Sequence, residues 1–205
     1  MKEKHGYMMP DCLEAPGRYL NAFKELKPTI ERYCRTPRRS AVQAGGHIGL
    51  FPRELSKMFG AVYTFEPHSE NFACLVRNAN ADNVFPMRAF VGDIRGSKEL
   101  QLGKSTGGHA VGKGAGLIPT FRIDDLALDD CDLLLLDLEG YEFYALIGAM
   151  LTIAISKPLI ICEENKKAHN QGISPGSIAL LLRSRGYREP TRINENLIFR
   201  HKDAK

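Results

Sequence analysis

The run Cys131-Asp-Leu-Leu-Leu-Leu136 limits the fold more than any other stretch of the sequence. Four consecutive leucines leave no polar face, so a strand of this composition has to be covered on both sides, as in a parallel sheet between two layers of helices. Pro158-Leu-Ile-Ile-Cys162 repeats the pattern. Helical spacing fills the intervals: Phe51, Leu55, Met58 and Phe59; Phe72, Leu75, Val76 and Ala79; Phe143, Leu146, Ile147 and Met150; Ile178, Leu181 and Leu182. Apolar residues three or four apart give a helix one buried stripe. Strand and helix alternate over 205 residues, which predicts one doubly wound α/β domain.

The remaining stretches place the edges. Ala61 to Phe65 reads as a second strand, and Asn83 to Val91 as a third, with Pro86 confining it to the sheet edge because proline cannot donate to a ladder. Residues 97–123 read as two strands around the glycine-rich loop Gly103 to Gly116, a β-hairpin insertion whose loop is a flap near the substrate or a plain flexible connection. Tyr187 to Arg200 fits two closing strands around Asn194-Glu195-Asn196. Residues 1–17, with Pro10, Pro16 and Gly17, read as an irregular arm, and Arg18 to Cys34 as one or two short helices interrupted near Pro28. Residues 1–39 are thus an N-terminal arm with helices, and residues 40–205 the main domain.

Glycines and carboxylates gather where such a sheet binds ligands. Ser40 to Gly49 runs from a strand through Gly45 and Gly46 into a helix, a turn in which the backbone bends tightly and the helix's free N–H groups face a ligand. His47 breaks the pattern G-x-G-x-x-G, which keeps a plain tight turn open and makes a nicotinamide-dependent dehydrogenase a distant reading. Glu66, 21 positions beyond Gly45, stands where an acidic residue at the tip of the second strand accepts ribose hydroxyls; the other reading is a capping or surface carboxylate. Asp93 follows Gly92 either beside an adenine amine or as a turn residue. Asp137 and Glu139 end the long apolar run, and burying carboxylates there without a task costs free energy. Glu163, Glu164 and Asn165 end the next strand at the same rim, and Asp137, Glu163 and Asn165 could offer oxygen ligands to Mg²⁺. His109 is an acid/base or substrate contact, or a solvated loop residue.

Composition excludes several classes. The chain is 43% apolar and 25% charged, with no apolar run of the length that spans a bilayer. Its first residues lack the apolar core of a signal peptide, and five widely spaced cysteines without a C-x-x-C pair fit a reducing compartment. A cytoplasmic protein without a membrane partner is expected. The net charge of +4 includes the cluster Arg35, Arg38 and Arg39, which either meets a phosphate or acidic partner or is a solvated face. The cluster is short and lacks interleaved aromatics, so a nucleic-acid partner is not expected.

Taken in order, Val42-Gln-Ala-Gly-Gly-His-Ile-Gly49, Phe65-Glu-Pro67 with Asn71-Phe72 and Leu75 to Asn78, Val91-Gly-Asp93 and Ile123-Asp-Asp-Leu126 form the first part of a recognisable pattern. Leu136-Asp-Leu-Glu-Gly-Tyr-Glu142, Ala145 to Ala149 and Pro158 to Glu163 complete it. Together they resemble the FkbM-type family of S-adenosylmethionine-dependent methyltransferases. The resemblance implies a class I methyltransferase fold: a Rossmann-like, seven-stranded, mostly parallel sheet with helices on both faces and the last strand entering antiparallel. It implies S-adenosylmethionine as cofactor and a hydroxyl oxygen of a sugar or other small metabolite, free or in a glycan, as acceptor. Cofactor contacts then fall on Gln43, Ala44, Gly45, Gly46, His47, Gly49, Glu66, Pro67, Asp93 and Asp137, with Gly45 and Gly49 at the methionine-side turn, Glu66 on the ribose and Asp93 near adenine. Asp137 or Glu139 is expected to orient or deprotonate the hydroxyl, with His109 and Glu163 as second choices, and the resemblance calls for no metal. Gln43 stands where this fold often has an acidic residue, and His47 where it often has Asn or Gly. These departures keep open a module that binds the donor without chemistry. Acceptor contacts are expected within residues 1–39, 103–116 and 165–176.

Overall fold

The computed structural model describes residues 1–11, 13, 17–103, 108–114, 116–163 and 166–204. The expected irregular arm instead begins with a hairpin: β1 (Lys2–Lys4) and β2 (Tyr7–Met9) pair antiparallel around His5 and Gly6, both at positive φ. Two such residues in a row are what a tight hairpin turn needs. Helix α1 (Gly17–Tyr33) then runs unbroken through Pro28, where an interruption was expected. Pro28 and Lys24, whose carbonyl loses its partner, both lie on the exposed side, while Phe23, Leu26 and Ile30 are buried on the other. The break is avoided because water can take over the lost hydrogen bond.

The first half of the sheet follows as β3 (Ser40–Ala44), α2 (Leu50–Leu55), β4 (Ala61–Phe65), α3 (Ser69–Asn78) and β5 (Val84–Met87). The buried stripe of α3 is Asn71, Cys74, Leu75 and Asn78, and Val76 is exposed, a different face from the one its apolar residues suggest. Asn78 explains the rotation: its side chain accepts from Met8 N at 2.7 Å and donates to the carbonyls of Met8 and Ile48 at 2.7 Å each, tying the hairpin to the helix.

The stretch expected as one third strand divides in two. Val84 to Met87 pairs with β4 at the sheet edge, as Pro86 requires, and β6 (Phe90–Val91) leaves to pair with β9 (Leu117–Phe121). With β7 (Gly96–Gln101) and β8 (Ala110–Val111) these form a second, four-stranded sheet in the order β6-β9-β7-β8, the hairpin insertion.

The chain returns to the main sheet through β10 (Cys131–Leu136), α4 (Glu142–Ile147), α5 (Met150–Ser156), β11 (Leu159–Glu163), α6 (Ser177–Arg183), β12 (Thr191–Ile193) and β13 (Asn196–Phe199). Seven strands lie in the order β12-β13-β11-β10-β3-β4-β5, with β13 antiparallel to both neighbours and β11, β10, β3, β4 and β5 mutually parallel. Every residue of β10 is buried. Leu134 and Leu136 enter the core under α4, α5 and α6, and Leu133 and Leu135 enter the one under α1 and α2, which is why the run shows no alternation. After β3 the chain builds outward through β4 and β5, and after β10 it builds the other way through β11. The strand order therefore reverses between β3 and β10, and a crevice opens at their carboxyl ends. No helix among the described residues is long and apolar enough to cross a membrane.

Candidate functional site

Backbone hydrogen bonds join the strand ends at this crevice. Phe65 O accepts from Gly45 N at 3.0 Å and Gly46 N at 2.7 Å, and Ala44 O accepts from Asp137 N at 3.0 Å. The glycines answer to the chain's own packing. Gly45 has φ 89°, and a Cβ there would lie 1.9 Å from the Asp137 carbonyl oxygen. Gly49, at φ 87°, would place a Cβ 2.9 Å from the backbone of Leu75 in α3. Either substitution forces strand or helix apart.

Gln43 is 1% exposed, and the chain uses both ends of its amide: Nε2 donates to Gly45 O at 2.8 Å, and Oε1 accepts from Thr64 Oγ1 at 2.7 Å. His47, at φ 47°, donates its backbone N–H to Glu66 Oε2 at 2.8 Å, and its ring lies 4.6 Å from that of Tyr19. Burial pulls the His47 imidazole down to about 4, so it is neutral at physiological pH. Glu66 Oε1 accepts from His68 N at 2.9 Å and from Asn71 Nδ2 at 3.4 Å. Burial nevertheless pushes the Glu66 carboxyl up to about 7, against the lowering by these donors.

A cavity of about 600 Å³ opens over this framework. Gln43, Gly45, Gly46, His47, Glu66, Pro67, His109, Asp137 and Glu139 all line it, so one space brings together most of the residues singled out from the sequence. Ala44 ends β3 as a fully buried residue, and Gly49 packs on α3. Asp93 is half-buried outside the lining, within electrostatic reach of Lys98 and Tyr141. The division of the expected third strand turned its end toward the small sheet. Helix α1 contributes Tyr19 and Glu25 to the wall, and the β12–β13 turn contributes Asn194 and Glu195.

His109 accepts a hydrogen bond from Gly103 N at Nδ1, 3.0 Å away. In the neutral ring the proton then resides on Nε2, which is enclosed and has no partner among the described residues. Its ring lies 4.2 Å from that of His68, and burial first, then the His68 charge, lowers its pKa.

Glu142 received no role from the sequence. It is 1% exposed, and Oε1 accepts from Leu138 N at 2.7 Å and Gly140 N at 3.3 Å. These bonds hold a loop in which Glu139 and Gly140 have φ 54° and 99°. Burial pushes its carboxyl up to about 7, helped by the nearby Glu163 charge. A carboxylate opening a helix just after Gly-Tyr is the signal that could have found it. Asp137, Glu142 and Glu163 bring carboxylate oxygens within 4.8 Å of one another. Such spacing can hold a cation, and equally it lets neighbouring acids retain a proton. Asn165, the other oxygen ligand suggested by the sequence, lies outside the described residues, as do residues 104–107 of the glycine-rich loop.

Several solved structures share the architecture. Methyltransferase FkbM from Methylobacillus flagellatus superposes with a TM-score of 0.54 at 18% identity, covering 80% of this chain and 44% of that one, so the chain spans less than half of that protein's length. N-methyltransferase NodS from Bradyrhizobium japonicum, in complex with S-adenosyl-L-homocysteine, gives 0.53 at 8% identity over 93% of this chain and 90% of that one. Precorrin 8W decarboxylase from Methanobacterium thermoautotrophicum gives 0.51 at 14% identity over 94% and 99%. At these identities the likeness is one of fold, that of class I methyltransferases. No curated protein sequence matches the chain. The model of the Methyltransferase FkbM domain, however, matches residues 43–189, from within β3 to the approach of β12, and the chain belongs to the FkbM methyltransferase family.

Proposed function

We propose that this chain transfers a methyl group from S-adenosylmethionine to a hydroxyl oxygen of a sugar or other small metabolite. The observation that carries the reading is the placement of Asp137 and Glu139 at the end of β10, open to the same cavity as the Gly45 turn and Glu66. The residues fit the donor. Glu66 Oε2 has one protein donor and so keeps acceptor capacity for a ribose hydroxyl, and the 3.4 Å contact from Asn71 is the bond that a second hydroxyl would displace. When bound, the sulfonium supplies an activated methyl group and leaves as a neutral thioether.

The chain's contribution is positioning and proton removal. The acceptor oxygen forms its bond to the methyl carbon as the carbon–sulfur pair returns to sulfur, and Asp137 or Glu139 takes the hydroxyl proton. His109 ranks behind them as a base, since its Nδ1 lone pair accepts from Gly103 N and its Nε2 is enclosed. The described cysteines Cys34, Cys74, Cys131 and Cys162 are buried and not joined in disulfides, which supports a reducing, cytoplasmic setting.

Turnover of Asp137→Asn should fall about 100-fold or more, the range for a general base, with affinity for S-adenosylhomocysteine unchanged. Intact turnover at unchanged affinity transfers the role to Glu139, to be checked with Glu139→Gln. Gln43 favours a second reading, a donor-binding module without transfer, because a neutral side chain engaged at both ends serves the turn rather than a ligand. Methyl-labelled donor that binds but labels no hydroxyl compound would decide for it.

A further inference from the structure

We propose that a second cavity, at the end of the sheet away from the crevice, binds a phosphate monoester between Arg188 and Arg200. It measures about 190 Å³ and is lined by Tyr33, Leu159, Arg188, Arg200, His201 and Ala204. Leu159 opens β11, whose other end carries Glu163 into the main cavity, and the pairing of Ile160 with Phe199 brings Arg200 to that opening end. The volume lies below the about 300–1,000 Å³ of sites that enclose a drug-sized molecule, so it suits one charged group on a short body.

The register of the chain brings the two guanidinium groups together. Tyr187 and His201 form an antiparallel bridge, and beside it Arg188 N donates to Arg200 O at 3.0 Å. The arginines thus stand opposite each other, a placement that like charges disfavour and that an anion shared between them relieves. Arg200 sits over the Tyr33 ring, its Cζ 4.5 Å from the centroid, and Arg188 Nη2 donates to Lys202 O at 3.2 Å. Neither guanidinium has a carboxylate partner among the described residues, and the acids next to them in the chain are taken: Asp203 pairs with Lys157 at 2.6 Å, and Glu189 with Arg183. The cluster singled out from the sequence differs, since Arg35 and Arg38 donate to the carbonyls of Ser156 and Glu31. His201 is a wall, with its ring nitrogens engaged by Arg185 O and Asp203 N. A phosphate monoester carries about −1.5 to −2 charges at pH 7 and three acceptor oxygens, enough to answer both forks, whereas a carboxylate or a diester leaves one charge unmet. Leu159 and Tyr33 offer apolar surface to the body of the ester.

The test is calorimetric titration of the protein with glycerol 3-phosphate, a capped phosphoserine peptide, dimethyl phosphate and acetate. At least one of the two monoesters should bind about tenfold more tightly than dimethyl phosphate or acetate, and the tighter monoester shows whether the phosphate comes from a metabolite or a phosphorylated protein. Arg188 is exposed, so Arg188→Gln should keep the fold and weaken that monoester about tenfold. Arg200→Lys keeps the charge without the fork and should weaken it about threefold. Arg77→Gln, at an exposed arginine of α3, should leave the affinity unchanged. No binding of either monoester, equal binding of all four anions, or a loss in Arg188→Gln no greater than in Arg77→Gln overturns the proposal.

Discussion

Glu66 and Glu142 occupy matching places in the two halves of the sheet. Glu66 directly follows β4, and Glu142 opens the helix after β10. Each is buried, each accepts two backbone N–H groups from a turn at the crevice, and burial pushes each up to about 7. They differ in access. Glu66 lines the cavity, whereas Glu142 is absent from its lining and holds the loop that presents Asp137 and Glu139. Equal burial and equal proton affinity therefore do not mark equal duty. A ligand can use only the carboxylate that it can reach.

The largest expected effect separates acceptor from charge at Glu142. Glu142→Ala leaves the N–H groups of Leu138 and Gly140 without their acceptor in a closed loop, and should lower the unfolding free energy by about 2–4 kcal/mol in urea denaturation. Glu142→Gln keeps an acceptor oxygen and should recover most of that loss. Equal damage from both variants would assign the role to the charge instead.

At Glu66 the affected quantity is donor affinity. Glu66→Ala should weaken S-adenosylhomocysteine by about 1–3 kcal/mol in calorimetry, the range for hydrogen bonds to a charged group. Glu142→Gln should leave that affinity within about threefold, a free-energy change below about 0.7 kcal/mol. If it weakens the donor as much as Glu66→Ala does, the two carboxylates cannot be told apart by access.

The pH dependence follows from the same raised values. If Glu66 holds the ribose as proposed, its ionised form accepts the hydroxyls, and donor binding should weaken about tenfold per pH unit below about 7 and level off above it, with Glu66→Gln removing the slope. Folding has the opposite trend. Both carboxyls rise from an ordinary 4.5 to about 7, so the folded state binds the extra protons, and these two groups make stability fall as pH climbs through that window. Each Gln variant should flatten the fall in denaturation curves taken from pH 5 to pH 8. The smallest effect concerns the Asp137, Glu142 and Glu163 cluster. We expect a proton on Glu142 to relieve its charge, so a chelator should leave turnover unchanged.

Much of this arrangement was legible in the sequence because it depends on local patterns. The leucines of β10 and the apolar run of β11 can be satisfied only between two helical layers, and Pro86 can sit only at an edge. Positive φ at Gly45 and Gly49 follows from a sharp strand-to-helix turn. Asp137 and Glu139 stand at a strand end that faces the crevice whatever the details of packing. The interruption expected at Pro28 does not occur because the cost of a proline depends on whether the orphaned carbonyl meets water, which spacing alone does not reveal.

The sequence by itself thus determined the layers, the strand directions and the crevice at which the carboxylates gather, since strand and helix periodicities are properties of neighbouring residues. Only the tertiary structure decided which polar groups are buried and what they hold. Asn78 is buried because Met8, 70 positions away, completes its hydrogen bonds. Glu142 becomes the support of the Asp137 loop, and Asp93 leaves the cavity wall with the small sheet. A polar side chain can be buried only where partners from elsewhere in the chain satisfy it, and those partners exist only once the strands and helices have packed.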